Sequence, residues 1–345
     1  MNTTERNPQV PTLADVARHA GVSTATVSRC LNSPDLVVAP TRERVMSAVR
    51  ELGYSPNFSA QSLAAKRTNT FGAVIPTMDN AIFAQTLQAF QEELQRHKIT
   101  LLVSSSSYQE DLEAEQIRAL IARGADALLL IGHHRAQDVF DFLDKRSVPA
   151  LVCWAFTPDE ERLSIGFNNA AGMHGLTQLV IGKGHKRIGF ISAVLASNDR
   201  ARERLRGLQD AMAEAGISPE NLTIVETSYG LKTGGDAFRE IMSAETPPTV
   251  VMCGNDVLAI GALRAAKEMG LRTPADISIT GFDDIELAML AEPALTTVHV
   301  PHNEMGRRAA WMLIQMVQGD EPLSSLELPT EIMVRQTLGP PRQQD

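Results

Sequence analysis

The chain has 345 residues with a net charge of −9 and 43% hydrophobic content, enough for two or three globular domains. No apolar run approaches the roughly 18 residues of a membrane span, and MNTTERNPQV lacks a signal peptide's apolar stretch, so a cytoplasmic protein is expected. Cys30, Cys153 and Cys253 lie far apart without C-x-x-C spacing, which speaks against a disulfide framework and a zinc site and leaves them as small core residues.

Two short helices come first in the chain. In TLADVARHAGVSTATVSRCLN, Thr12 to Asn32, the residues Leu13, Val16, Ala17 and Ala20 recur at helical spacing, and Gly21 supplies the permissive backbone of a tight turn. Ser23 caps the second helix, whose inward residues are Val27 and Leu31. Thr24, Ala25, Thr26, Ser28 and Arg29 are then left facing outward. Small side chains near a helix N-terminus admit the backbone to a DNA major groove, where an arginine can donate two hydrogen bonds to guanine. A solvated helical hairpin inside a larger helical domain would show the same spacing. A third helix is predicted from Thr41 to Leu52, with Val45, Ala48, Val49 and Leu52 inward, Thr41 as its cap and Gly53 past its end.

In GYSPNFSAQSLAAKRTNT, Gly53 to Thr70, Pro56 starts a short helical stretch that carries Leu63 and ends in Lys66 and Arg67. It is too short and polar to be stable alone, and such a basic segment suits folding upon a partner. An exposed leucine can wedge between base steps from the minor groove. The sign of the charge changes here. Residues 1–68 carry eight Lys or Arg and five Asp or Glu, a balance of plus three, which leaves minus twelve for the remainder. A basic head meets phosphates while an acidic body avoids nonspecific adhesion.

The order VARHAGVSTATVSRCLN followed by LGYSPNFSAQSLAAKRT resembles the lactose-repressor (LacI/GalR) family of bacterial transcription regulators, and the likeness runs through essentially the whole chain. The resemblance implies that Thr24, Ala25 and Arg29 contact bases, while Ser23, Thr26, Ser28 and Asn32 contact or orient the DNA backbone. It places Asn57, Ser59, Ala60, Leu63 and Ala64 on a hinge helix, with Leu63 as the wedge. The Thr24 and Ala25 pair departs from the tyrosine and glutamine of the family's namesake, so the operator sequence does not carry over.

From Phe71 onward the runs FGAVIP, ITLLVSSSS, ADALLLIG, PALVCWAF, RIGFISAV, LTIVETS, PTVVMCGN and ISITGFDD alternate with stretches of helical periodicity. These read as parallel strands and crossover helices. Phe83, Leu87, Phe90 and Leu94 mark one inward helical face, and Leu112, Ile117, Leu120 and Ile121 another. So many units exceed one doubly wound sheet and predict two lobes that split near Asn168, with a ligand cleft at the strands' carboxyl ends. The expected fold is therefore α/β: an N-terminal three-helix helix-turn-helix head and a two-lobed, doubly wound body. The resemblance makes that body type I periplasmic-binding-protein-like. The expected boundaries are 1–56 for the head, 57–70 for the hinge and 71–345 for the body. Its first lobe takes about 71–168 and 299–323, and its second about 169–298 and 324–340, with ELPTEIMVRQTL as a final strand closing the second.

By resemblance, Arg204, Asn255 and Asp283 match the family's ligand-facing arginine, amide and carboxylate, a set that can serve adjacent hydroxyls. Phe83, Trp154 and Tyr229 offer aromatic faces for a sugar ring; core packing is the alternative for each. Asp256 is read as a helix cap. Other members carry polar anchors where this chain has Asn198 and Arg200, and Arg200 as a second cation points to a sugar acid or sugar phosphate. His133, His134 and Arg135 fall at a strand end near the same cleft, but adjacent histidines there point opposite ways and no third metal ligand is evident. GKGHKRIG lacks the features of a phosphate loop and reads as a turn.

No catalytic constellation and no cofactor motif is found, so the chain is read as a regulator and not an enzyme. The expectation is a homodimer on a palindromic operator, controlled by a small sugar, sugar acid or sugar phosphate between the lobes. GPPRQQD carries no leucine heptads, which favours a dimer over a tetramer. Dual repression and activation, a sugar-binding transport or sensor protein, and a sugar-modifying enzyme remain as alternatives.

Overall fold

The computed structural model describes residues 10–55, 67–79, 81–157, 162–319 and 322–342. Its contacts divide the chain into two compact units, Met1–Thr68 and Asn69–Asp345.

In the first unit, α1 (Leu13–Ala20) starts with a reciprocal cap: Asp15 N–H donates to the Thr12 hydroxyl at 3.3 Å, and Thr12 N–H donates to the Asp15 carboxylate at 2.9 Å. It ends on Gly21 at φ 66°, a left-handed conformation that a Cβ disfavours. Ser23 then caps α2 (Thr24–Asn32), accepting from Thr26 N–H at 3.2 Å. Val16, Ala17, Ala20, Val27, Cys30, Val45 and Ala48 form the core, with Leu13, Leu31, Val49 and Leu52 packed partly buried against it. The third helix, α3, spans Ala39–Leu52, so the expected cap Thr41 lies inside its first turn, and Val38 at the cap position makes no side-chain bond. Pro40 explains the earlier start, because its fixed φ suits a first helical turn in which no N–H is required. His19 Nε2 and Glu51 Oε2, 2.8 Å apart, tie α1 to α3.

The second unit contains two parallel sheets. The first is built from β1 (Thr70–Ile75), β2 (Thr100–Ser105), β3 (Ala127–Ile131), β4 (Ala150–Cys153), β5 (Ser164–Gly166) and β11 (Leu326–Glu327), in the order β11-β5-β4-β3-β1-β2. The second runs β7-β6-β8-β9, from β6 (Ile188–Ser192), β7 (Leu222–Glu226), β8 (Val250–Cys253) and β9 (Ser278–Thr280). Strands β1, β3, β4, β6 and β8 are wholly buried and the edge strands β2 and β7 are not, which is why the former read as unbroken apolar runs.

Helices cover both faces of each sheet. In the first lobe, α4 (Ala81–Arg96) and α12 (His302–Gln318) lie against Phe71, Ala73 and Ile75, while α5 (Glu110–Ala122) and α6 (Gln137–Lys145) enclose Val74, Leu128 and Leu130. Gly306 lets α12 approach α4 closely, since a Cβ there would overlap the Thr86 carbonyl. In the second lobe the layers are α7 (Asn169–Gly182) with α8 (Asp199–Glu214) and α9 (Leu231–Met242) with α10 (Asp256–Glu268). Cys30, Cys153 and Cys253 are free and buried.

The chain passes from β5 into α7 and returns through β10 (Thr297–His299) to α12. The last segment corrects the expectation of one strand closing the second lobe. Leu326 and Glu327 pair with Ile165 and Gly166 in the first sheet, and β12 (Glu331–Met333) pairs antiparallel with β10. Only then does the Thr337 carbonyl accept from Ile279 N–H at the edge of the second sheet. Residues 324–327 therefore lie with the first lobe. Pro329, which lacks the N–H of a continuous ladder, separates the two pairings. His185, in the turn GKGHKRIG, fastens the end of this segment by bonding Thr249 Oγ1 and the Gly339 carbonyl at 2.8 and 2.9 Å.

Candidate functional site

The inward set of α2, Val27 and Cys30, fixes what the helix presents outward. Ser23, Thr24, Ala25 and Arg29 are exposed; Thr26 and Ser28 are half-buried. The Ser23 and Thr26 hydroxyls lie 2.9 Å apart, so this end is held locally by the cap. Arg29 is the long polar side chain of the helix. Asn32 is the last residue of α2. Asn57, Ser59, Ala60, Leu63 and Ala64 lie outside the described residues.

The body brings residues from the carboxyl ends of both sheets together around Arg204 on α8. Its Nε donates to Asn169 Oδ1 at 2.8 Å, one Nη to the Gly254 carbonyl and the other to Asp283 Oδ1 at 3.2 Å. The guanidinium carbon lies 3.9 Å from the Phe282 ring centroid. Arg204 is 4% exposed and Asp283 0%, so the pair is fully desolvated. Burial pushes the Asp283 carboxyl up to about 6, against the opposing pull of Arg204 and Arg200. Asp283 Oδ2, Asn255 Nδ2 and Trp154 Nε1 are buried without a protein partner, an unusual concentration of open hydrogen-bonding capacity at strand ends. A cavity of about 370 Å³ is bordered by Asn169, the hydrogen-bond partner of Arg204, with Asp199 and Arg200 from the second lobe and by His133 and Ala155 from the first.

Several expected roles change. Asn255, not Asp256, caps α10, its Oδ1 accepting from Leu258 N–H at 2.9 Å; the other end of the same amide is the open Nδ2. Asp256 instead accepts from Thr297 Oγ1 at 2.6 Å and Ile285 N–H at 2.8 Å, with burial raising its carboxyl well above the usual range. Phe83 and Trp154 are both buried and meet edge to face at 5.2 Å, so their rings serve the core and only the indole N–H remains open. Arg200 is no open second cation: its Nη1 lies 3.0 Å from Asp199 Oδ1. Arg135 and His134 are tied to Glu113 and Glu110 at 2.9 and 2.8 Å. Among the described residues no group of three or more His, Cys, Asp or Glu is placed to hold a metal ion.

Four site residues were missing from the sequence reading. Tyr108, after β2, faces Tyr229, after β7, with ring centroids 5.9 Å apart, and carries no periodic signal of its own. Asn169 joins Arg204 to the Trp154 carbonyl, to which it donates at 3.0 Å. Phe282 sits beside Asp283 and was hidden as an apolar strand-end residue. Asp199 could have been found as the neighbour of Arg200 in NDRARER.

Known proteins share both units. Residues 12–57 match the model of bacterial regulatory proteins, lacI family, and residues 176–338 match a periplasmic binding protein-like domain. The HTH-type transcriptional repressor PurR of Haemophilus influenzae is 31% identical over 331 residues, covering 95% of this chain and 98% of that protein. The repressor CytR of Escherichia coli is 32% identical over 326 residues, covering 94% and 95%. A crystal structure of the Lac repressor dimer bound to operator and the anti-inducer ONPF superposes with a TM-score of 0.85 at 29% identity, covering 96% of this chain and all of that one.

Proposed function

The chain belongs to the LacI family of bacterial regulatory proteins, and we propose from that membership that it is a cytoplasmic, homodimeric transcriptional repressor, released from or fixed to its operator by a small polar effector. One observation carries this reading: a helix-turn-helix whose second helix exposes a short polar face, in one chain with a cleft of unsatisfied buried polar atoms. Thr24, Ala25 and Arg29 contact bases, and Ser23, Thr26, Ser28 and Asn32 position the helix on phosphates. Asn57, Ser59, Ala60, Leu63 and Ala64 complete the contact at the operator centre. Two protomers present two such helices to successive major grooves of a palindrome.

In the body, Arg204, Asp283, Asn255, Trp154 and Tyr229 address the effector, joined by Asn169 and Tyr108. The ligand's preference between two lobe arrangements sets the response, and a coupling of about 1–3 kcal/mol changes operator occupancy roughly 5- to 150-fold. Gel retardation on the DNA flanking the protein's own gene, with and without sugars, tests the proposal. A retarded band competed by the same DNA and not by a scrambled sequence is expected. Equal competition by both would defeat it.

A further inference from the structure

On the reading of the cleft just given, we propose that Asp199 is a built-in counter-ion that closes the cleft to anions, so that the effector is an uncharged polyhydroxyl compound and not a sugar acid or sugar phosphate. The geometry is specific to this pair. Asp199 and Arg200 open α8 in the second lobe, and both side chains are largely buried at the cavity wall. Asp199 Oδ1 accepts from Arg200 N–H at 2.9 Å and from Arg200 Nη1 at 3.0 Å. Its Oδ2 reaches across to the first lobe and accepts from His133 N–H at 2.6 Å.

A backbone N–H and a guanidinium converging on one carboxylate is the donor set that an anionic ligand group would require. Here the protein's own carboxylate fills it. Gly132 makes room for this arrangement: at φ 73° it has no Cβ, and a Cβ would overlap the Arg200 guanidinium and both Asp199 oxygens. Arg200 and the two N–H groups hold the Asp199 carboxyl below its usual range despite the opposing effect of burial, so the occupant stays charged.

Other cations around the cleft also carry partners. At the cavity wall Arg135 has Glu113, His134 has Glu110 and Arg202 donates to the Leu195 and Ala196 carbonyls, and behind Asn169 Arg204 has Asp283. Open atoms among the described residues include Arg135 Nε at the wall, the neutral donors Asn255 Nδ2 and Trp154 Nε1 at the strand ends, and the acceptor Asp283 Oδ2. A hydroxyl can serve each of these, as donor or acceptor; an anion is repelled by the last.

The test needs no knowledge of the effector. Asp199→Asn keeps an oxygen for the His133 N–H while removing the charge, and inorganic phosphate and gluconate serve as probes in thermal-shift titrations of the full chain. Wild type is expected to show no saturable shift with either probe. Asp199→Asn should acquire one, with half-saturation at least tenfold below any wild-type response, and adding Arg200→Gln should abolish it. If wild type already binds phosphate or gluconate saturably and Arg200→Gln alone removes that binding, the proposal is overturned. A folded Asp199→Asn that gains no response also overturns it. Should that variant fail to fold, the wild-type and Arg200→Gln titrations still decide, since wild-type silence toward both probes supports the proposal. Loss of this inference leaves operator retardation and its effector dependence intact, whereas failure of the repressor reading would appear in those assays.

Discussion

The head and the cleft hold their working residues in opposite ways. On α2 the side chains proposed to read bases, Thr24, Ala25 and Arg29, are exposed, lie outside the head's core and come from one stretch of nine residues. In the cleft, Arg204, Asp283, Asn169 and Asn255 are buried and come from strand ends and helix starts scattered between residues 169 and 283. Function is thus separable from folding in the head and tied to it in the body. A buried ion pair contributes little net stability when intact but is costly to break, because the remaining charge is stranded.

The sharpest way to break this comparison is at Arg204. Arg204→Ala should destabilise the body by about 3–5 kcal/mol, because Asp283 loses its counter-ion inside the fold, and should abolish the effector response; urea unfolding measures the first. A variant of unchanged stability would show that the pair is solvated. Arg29→Ala should do the reverse. It is expected to cost about 1–3 kcal/mol of specific operator binding while leaving the unfolding midpoint and the effector response unchanged, as read by titration of labelled DNA. Equal weakening on scrambled DNA would reassign Arg29 to phosphates.

A third difference concerns pH. A ligand hydroxyl donating to Asp283 Oδ2 requires the carboxylate, whose proton is held up to about 6 by burial. Effector affinity should therefore rise with pH, roughly tenfold per unit well below that value, and level off above it. His302, bonded to the Asp283 carbonyl, does not reverse this sign, because burial keeps it neutral down to about 4. A flat profile across about pH 5 to 7 would remove Asp283 from the effector site. Stability runs in the opposite direction: the raised Asp283 carboxyl favours folding at low pH, and that contribution is lost as pH rises from its unfolded value of 3.8 through about 6. The smallest effect is expected at the head's own cap: Ser23→Ala should cost about 0.5–2 kcal/mol of head stability, visible as an earlier thermal transition of that unit. No change would mean that the Gly21 turn alone sets the start of α2.

Local physics made the head readable. The spacing of Val16, Ala17, Ala20 and Val27, the glycine turn and the serine cap all act within a few residues, and the structure follows them. The start of α3 differs, because Pro40, second in the helix, suits a first turn ahead of the threonine that the sequence offers as a cap. In the body, strands buried on both faces announced themselves as apolar runs. The short β5 and β11 did not, since two or three residues carry no period.

For the cleft, residue types were legible but not partnerships. Arg200 read alone is a free cation, and its neutralisation by Asp199 rests on an aspartate that also reaches His133 across 66 positions of sequence. The cap of α10 passed from Asp256 to Asn255 for the same reason: either can cap a helix, and Ile285 N–H and Thr297 Oγ1, distant in sequence, occupy the Asp256 carboxylate. The sequence by itself therefore determined most of the elements, the two-part plan and the exposed polar face of α2, because helix and strand periodicity, caps and turns are short-range. Only the tertiary structure decided which charges are cancelled and which polar atoms are left open, because in a buried site that depends on the partner that folding brings within about 3 Å, the reach of a hydrogen bond.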